Sequence, residues 1–243
     1  MKAMILAAGF GTRLRPLTDH IPKALIEINN VPIIEHQIRR LTSLGFNDII
    51  INVYHLAEKI IDFIKSKNWG SANIEISVEE NILETGGGLR KAQWFFNTEE
   101  SFLVHNVDVI TNLDILKMLD AHLSSKALST LAVRRRKTTR YFLIDEESNL
   151  CGWKSTEKEQ TLIKRKPIGE LSEFSFMGIH IISPEIFPLM PEEDKFSLID
   201  LYLKLVEQNQ FIKAFRGDNY DWLDIGKKEN LASVNSIAKV VFS

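Results

Sequence analysis

Apolar positions follow two spacings in the first hundred residues. Residues 3–8, 48–53, 73–78 and 102–105 are short runs dense in Ile, Val, Leu and Met, with the length and composition of buried strands. Between them Ile34, Ile38 and Leu41 recur at helical spacing, with Pro32 near the first turn and Gly45 as a stop, and Leu56, Ile60, Ile61 and Ile64 repeat the pattern. Residues 88–95 read as a third helix. Strand and helix alternating in this way predict βαβ units, and so an α/β fold with a doubly wound, mainly parallel, Rossmann-like sheet carrying helices on both faces.

The pattern changes in the middle of the chain. Short strand-like runs at 129–133, 141–144, 150–153 and 161–164, separated by charged turns, predict a β-hairpin extension over the carboxyl edge of the sheet, spanning 127–176. After it come a strand at 174–182, a helical turn opened by Pro184, and an amphipathic helix at 198–206 with Leu198, Leu201, Leu205 and Val206 on one side. Strands at 211–215 and 221–225 and a helix at 227–240 follow. The 243 residues fit one domain, 1–243, with the extension inside it.

Composition narrows the function. With 44% hydrophobic and 26% charged residues the chain is not disordered, and a net charge of −2 gives no overall attraction to nucleic acid or an anionic membrane, so an anionic ligand must be held by local cations. Cys151 is the one cysteine, which excludes an internal disulfide framework and a cysteine zinc site and fits a reducing compartment. The six histidines show no metal-ligand spacing, and no apolar run approaches the ~18 residues of a membrane span. The N-terminus opens as a strand without the features of a signal peptide, and the expectation is a cytoplasmic protein.

Residues 6–18 read L-A-A-G-F-G-T-R-L-R-P-L-T and residues 22–25 read P-K-A-L. A strand running into Ala8, Gly9, Gly11 and Thr12 lets backbone N–H groups approach an anion, and Arg13, Arg15 and Lys23 supply charge for several phosphates. Gly-x-Gly alone is equally a tight turn, but three cations in so short a stretch favour phosphate binding. The run is neither a Walker A loop nor a complete Rossmann fingerprint. Downstream, Glu84-Thr85-Gly86-Gly87-Gly88 offers backbone N–H groups at a helix start, or else a flexible loop. Asp108 follows an apolar strand and reads either as a cap or as an oxygen ligand for Mg²⁺; Asp224, in Trp222-Leu223-Asp224-Ile225-Gly226, sits at a second strand end.

The opening stretch resembles the signature of the nucleotidyltransferases that join a sugar 1-phosphate to a nucleoside triphosphate, L-A-A-G-x-G-T-R-L-x-P-L-T followed by P-K-P-L. Ala24 stands where the family usually has proline, and Val107 where glycine is common. The resemblance covers nearly the whole chain. It implies catalysis by Arg13, Lys23, Asp108 and Asp224, with Mg²⁺ held by the two aspartates. It also implies nucleotide binding by Ala8, Gly9, Gly11, Thr12, Arg13, Asn52, Glu84, Thr85, Gly86, Gly87 and Asn106. On the sugar side, Gly178 matches the family's F-x-G-I segment and Glu173 is placed to accept from hydroxyls. The run from Arg134 to Arg140 reads as a solvated turn, or as the source of an arginine, Arg140, for an extra acidic group on the substrate.

The Glu84 loop and the short length look most like the N-acetylmuramate 1-phosphate uridylyltransferase branch, using UTP. Mannose-1-phosphate guanylyltransferase, choline-phosphate cytidylyltransferase and a non-catalytic nucleotide-sugar-binding module remain open. The expected partners are a nucleoside triphosphate and a sugar 1-phosphate, without nucleic acid or membrane, in a monomer or homodimer.

Overall fold

Four apolar runs pair in parallel to form one half of the molecule: β1 (Lys2–Leu6) lies between β4 (Asp48–Val53) and β6 (Phe102–Asn106), and β5 (Asn73–Val78) pairs with β4 on the far side. The computed structural model describes residues 1–226 and 228–231. The small strands β2 (Glu27–Ile28) and β3 (Val31–Pro32) form a separate two-stranded ladder before α1 (Ile33–Ser43). The remaining helices of this half are α2 (Ala57–Lys65) and α3 (Glu84–Lys91).

Alternation of side chains along each strand divides the core. Ala3 and Ile5 of β1 pack with Ile34, Ile38 and Leu41 of α1 and with Ile60 and Ile64 of α2. Met4 and Leu6 face the other way, onto Leu89 of α3. Burial on both faces is why these strands are continuously apolar rather than alternating.

Beyond β6 the sheet turns antiparallel. The long strand β12 (Ser172–Ile182) pairs with β6 through Ile179–Ile182 and with β8 (Ser129–Arg134), which in turn pairs in parallel with β13 (Ile212–Arg216). Through Ser172–Phe174, β12 also carries β9 (Arg140–Ile144), followed by β10 (Leu150–Ser155) and β11 (Gln160–Ile163) in a meander. The predicted extension is thus a continuation of the main sheet, joined through β12, and β8 lies within that sheet.

A short ladder of β7 (Val109–Thr111) with β14 (Trp222–Asp224) brings residues 222–224 beside the end of β6. The helix α4 (Ile115–Ser125), which sequence spacing did not assign, buries Ile115 and Met118 on the α1 side. Its N-cap is Asp114, whose carboxylate accepts the Lys117 N–H at 2.9 Å. The helix α5 (Leu198–Glu207) covers the opposite face with Leu198, Leu201, Leu205 and Val206, as predicted. Of the predicted last helix, α6 (Lys228–Leu231) is described and the rest lies outside the described residues.

No helix among the described residues is long and apolar enough to cross a membrane. Cys151 is buried, and burial together with the neighbouring Asp145 carboxylate pushes its thiol up to about 12, so it stays protonated. His105, His122 and His180 are also buried. The His105 Nδ1–H donates to the Asn106 carbonyl at 2.8 Å, His180 Nδ1 shares a hydrogen bond with Tyr202 Oη at 2.9 Å, and His122 sits among Thr130, Ser101 and Ser183. All three are interior groups.

Candidate active site

The carboxyl ends of β1, β4, β5 and β6 open onto a cleft of about 200 Å³. Such an edge is where open α/β sheets bind ligands, because the loops diverge there and leave a crevice. Ala8, Gly9, Lys23, Asn52, Glu84, Thr85, Asn106 and Asp108 line it, so eight of the residues singled out from sequence come together. Leu6, Ala7, Glu79, Ile82 and Val107 complete the wall.

One side of the cleft is tied by a continuous hydrogen-bond chain. Asn52 Oδ1 accepts the Ala7 N–H at 2.8 Å, Asn52 Nδ2 donates to Glu79 Oε1 at 2.7 Å, and Glu79 Oε2 accepts the Leu83 N–H at 3.0 Å. Asn52 and Glu79 are both buried. Asn52 therefore positions the start of the glycine loop against the start of α3. Sequence reasoning missed Glu79, and its signal was the same as that of Asp108: a carboxylate directly after an apolar strand.

The other side holds the charges. Lys23 Nζ pairs with Asp108 Oδ2, and both side chains are largely buried, at 13% and 16% exposure. Arg13 Nη1 lies 3.5 Å from Asp224 Oδ2, with the arginine mostly exposed and the aspartate at 18%. The two pairs are drawn together by backbone. Asp224 stands opposite Val109 in the β7–β14 ladder, and the Ile225 N–H donates to the Asp108 carbonyl at 3.0 Å.

Gly226 marks where they converge. A Cβ there would lie 2.6 Å from Lys23 Nζ, 2.7 Å from Arg13 Nη2 and 2.8 Å from Asp224 Oδ1, so a side chain at this position would displace the charged groups from one another. The Gly226 N–H also donates to Asp224 Oδ1 at 2.8 Å.

The remaining predicted residues fall at different distances from this centre. Gly11 takes φ +65 and carries the turn, while Thr12 and Arg13 are exposed beside it. Gly86 and Gly87 do not line the cleft: both N–H groups donate to the Phe196 carbonyl, at 2.9 and 3.2 Å, and α3 begins at Glu84 rather than after the glycines. Glu84 has φ +61, a left-handed conformation unusual for a residue with a side chain.

Gly178 sits at a bulge in β12 with φ +81, and its missing Cβ would meet Asn106 Nδ2 at 3.0 Å, which places it beside the cleft. Glu173 pairs instead with Lys154 at 2.6 Å. Arg140 lines a second cavity with Trp153, Lys158 and Asp200, which shares only Glu84 with the first.

Among the described residues no cluster of three or more His, Cys, Asp or Glu could hold a metal ion by itself. Asp108 and Asp224 are two hard oxygen donors at adjoining positions. Two carboxylates suit a Mg²⁺ that takes its other ligands from phosphate oxygens and water.

Residues 2–239 match the family model described as nucleotidyl transferase. The chain is 32% identical over 241 residues to a UTP–glucose-1-phosphate uridylyltransferase of Synechocystis, covering 93% of this chain and 60% of that one. It is 31% identical over 239 residues to a mannose-1-phosphate guanyltransferase of Candida albicans, covering 96% and 63% respectively. The chain thus spans under two thirds of the length of these relatives.

Among solved structures, a putative glucose-1-phosphate thymidylyltransferase from Bacillus anthracis superposes with a TM-score of 0.80 at 20% identity, over 98% of this chain and 95% of that one. HddC from Yersinia pseudotuberculosis, complexed with GMP-PN, superposes with a TM-score of 0.77 at 23% identity over 97% and 98%. At these identities the likeness concerns the fold. The chain belongs to the nucleotidyl transferase family.

Proposed function

We propose that the protein is a sugar-1-phosphate nucleotidyltransferase, which transfers a nucleoside monophosphate from a nucleoside triphosphate to a sugar 1-phosphate. An oxygen of the sugar phosphate bonds to the α-phosphorus, the bridge between the α- and β-phosphates breaks, and pyrophosphate leaves. The observation that carries this reading is the meeting of Lys23–Asp108 and Arg13–Asp224 around Gly226 at the mouth of the cleft. Two cations and two carboxylates at one point match a reaction in which phosphates of two substrates must be brought together.

The nucleoside enters the cleft between residues 7–9 and the start of α3, and the triphosphate follows the loop toward Arg13, which offsets charge on the departing phosphates. Lys23 stands beside Asp108, between that path and the acceptor, and offsets charge at the α-phosphate. No protein base is needed, because a phosphate monoester already carries the attacking oxygen in ionised form, and positioning and charge do the catalysis. Asp108 and Asp224 would hold a divalent ion, Mg²⁺ in this reading, which supplies charge neutralisation at the transferring phosphoryl group.

The Glu84 loop favours UTP with N-acetylmuramate 1-phosphate or a related hexose 1-phosphate, and the relatives named for glucose 1-phosphate and mannose 1-phosphate support a hexose acceptor. The test is pyrophosphate release with ATP, CTP, GTP, UTP and dTTP against glucose, mannose and N-acetylmuramate 1-phosphates and choline phosphate. We expect turnover with UTP and a hexose 1-phosphate. Preference for choline phosphate with CTP would move the protein to the cytidylyltransferase branch, and silence with every pair would leave a binding module.

A further inference from the structure

The basic run after β8 divides by the direction each side chain takes. The Arg135 N–H is bound to Asp218 at 2.6 Å and its guanidinium lies over Phe174, whereas Arg140 lines the separate cavity. Arg134 and Arg136, two residues apart, both turn to Trp222, with guanidinium carbons 5.9 and 4.5 Å from its ring centre. Trp222 is held in place by its Nε1–H, which donates to the Met177 carbonyl at 2.8 Å, next to the Gly178 bulge. Two residues further along β14 is Asp224.

The two arginines differ in what they are bound to. Arg134 donates through Nη1 to the Tyr220 carbonyl at 3.3 Å and is anchored there, although its Nε, like that of Arg136, is buried without a hydrogen-bond partner. Arg136 is half-buried, its Nε is buried without a hydrogen-bond partner, and among the described residues it makes no ion pair. Burial holds the pKa of its guanidinium below the usual arginine range, and the Asp224 carboxylate works against that. A stacked, partly desolvated guanidinium with open donors fits a planar or tetrahedral oxyanion. In the transferase reading the triphosphate is met by Arg13, which pairs with Asp224, and Arg136 is a separate cation that this reading leaves unused.

We propose that Arg136, braced by Trp222 and Arg134, is an acceptor-recognising residue that binds an oxyanion of the incoming sugar phosphate. This rests on the transferase reading above. The oxyanion has two possible sources, the 1-phosphate itself or a carboxylate carried by the sugar, and they separate by experiment.

Initial rates of wild type, Arg136→Gln and Arg136→Lys are measured with UTP and either glucose 1-phosphate or N-acetylmuramate 1-phosphate, with the melting temperature of each variant as the folding control. For Arg136→Gln we expect the acceptor KM to rise about 30-fold, as for loss of one charge-assisted donor, with the UTP KM within about twofold and partial recovery in Arg136→Lys. An equal rise for both acceptors assigns the 1-phosphate, and a rise for N-acetylmuramate 1-phosphate alone assigns the carboxylate. Unchanged acceptor KM, or equal rises for UTP and acceptor, overturns the proposal. If wild type releases no pyrophosphate with any pair, the transferase reading fails by itself. Inorganic phosphate titrated calorimetrically into wild type and Arg136→Gln then reads the anion site directly, and equal affinity overturns it.

Discussion

Two glycine clusters flank the cleft and serve opposite ends. In the first loop, Gly9 lines the cleft, and a Cβ there would meet nothing within 4 Å. At the start of α3 the space is full: a Cβ on Gly86 would come within 2.3 Å of the Phe196 ring, one on Gly87 within 2.0 Å of the Asp194 carbonyl, and one on Gly88 within 2.7 Å of Glu79 Oε1. Gly9 leaves room for a ligand, whereas the second cluster, like Gly11 against Thr18, leaves room for the protein. Absence of a side chain is identical in the sequence either way, so only the neighbours tell the two uses apart.

The largest effect we expect is at the charges that the first loop leads to. Asp108→Asn and Asp224→Asn keep shape and lose the carboxylate charge, and each should lower pyrophosphate release by about 10²- to 10³-fold, on the order of 3–4 kcal/mol of transition-state stabilisation. Melting temperatures should change little by comparison. Near-normal turnover in Mg²⁺ would remove both aspartates from the reaction.

Next comes the contrast between the glycines themselves. Gly87→Ala drives a methyl into a backbone carbonyl and should cost about 1–3 kcal/mol of stability, with a fall of several degrees in melting temperature. Gly9→Ala should leave the melting temperature where it is and reduce turnover, because its methyl enters the space beside the nucleotide. Equal destabilisation by the two substitutions would mean that both glycines serve packing.

How much of this could be read in the sequence follows the same division. The parallel half was legible because its strands are buried on both faces and its helices carry apolar residues at helical spacing. Lys23 could be singled out as a cation close behind the glycine loop, and Asp108 and Asp224 as carboxylates at strand ends, and the structure brings the three side chains to one place. The helix α4 escaped notice because the buried His122 interrupts its apolar stripe, although Asp114 before Ile115 was a usable N-cap signal. The run from Arg134 to Arg140 could not be apportioned, since only Arg134 lies in β8 and the other arginines are directed by tertiary contacts with Trp222, Phe174 and the second cavity. For Glu173 the sequence offers a hydroxyl acceptor on the sugar side, and the cross-strand pair with Lys154 could not be read before β9, β10 and β12 were known to share a sheet.

The last contrast, which leaves turnover near neutral pH untouched, is between the two faces of β6, where Asn106 looks into the cleft and His105 into the core. Burial pushes His105 and His180 down to about 3 and His122 down to about 4, so in the folded protein all three remain neutral well below pH 6. In the unfolded chain they take up a proton near pH 6.5. Between that value and the folded ones the unfolded state binds more protons, and stability therefore rises with pH across the window. It is complete above pH ~7 and is lost as the pH falls toward 4, at about 1.4 kcal/mol per pH unit for each histidine. Melting curves from pH 8 to pH 4.5 should be flat at first and then decline from about pH 6.5, ahead of carboxylate titration. His122→Gln can keep bonds to Thr130 and Ser183 without a titrating ring, and should make that decline shallower by the share of one proton. A decline as steep in the variant as in wild type would show that His122 carries its charge inside the fold.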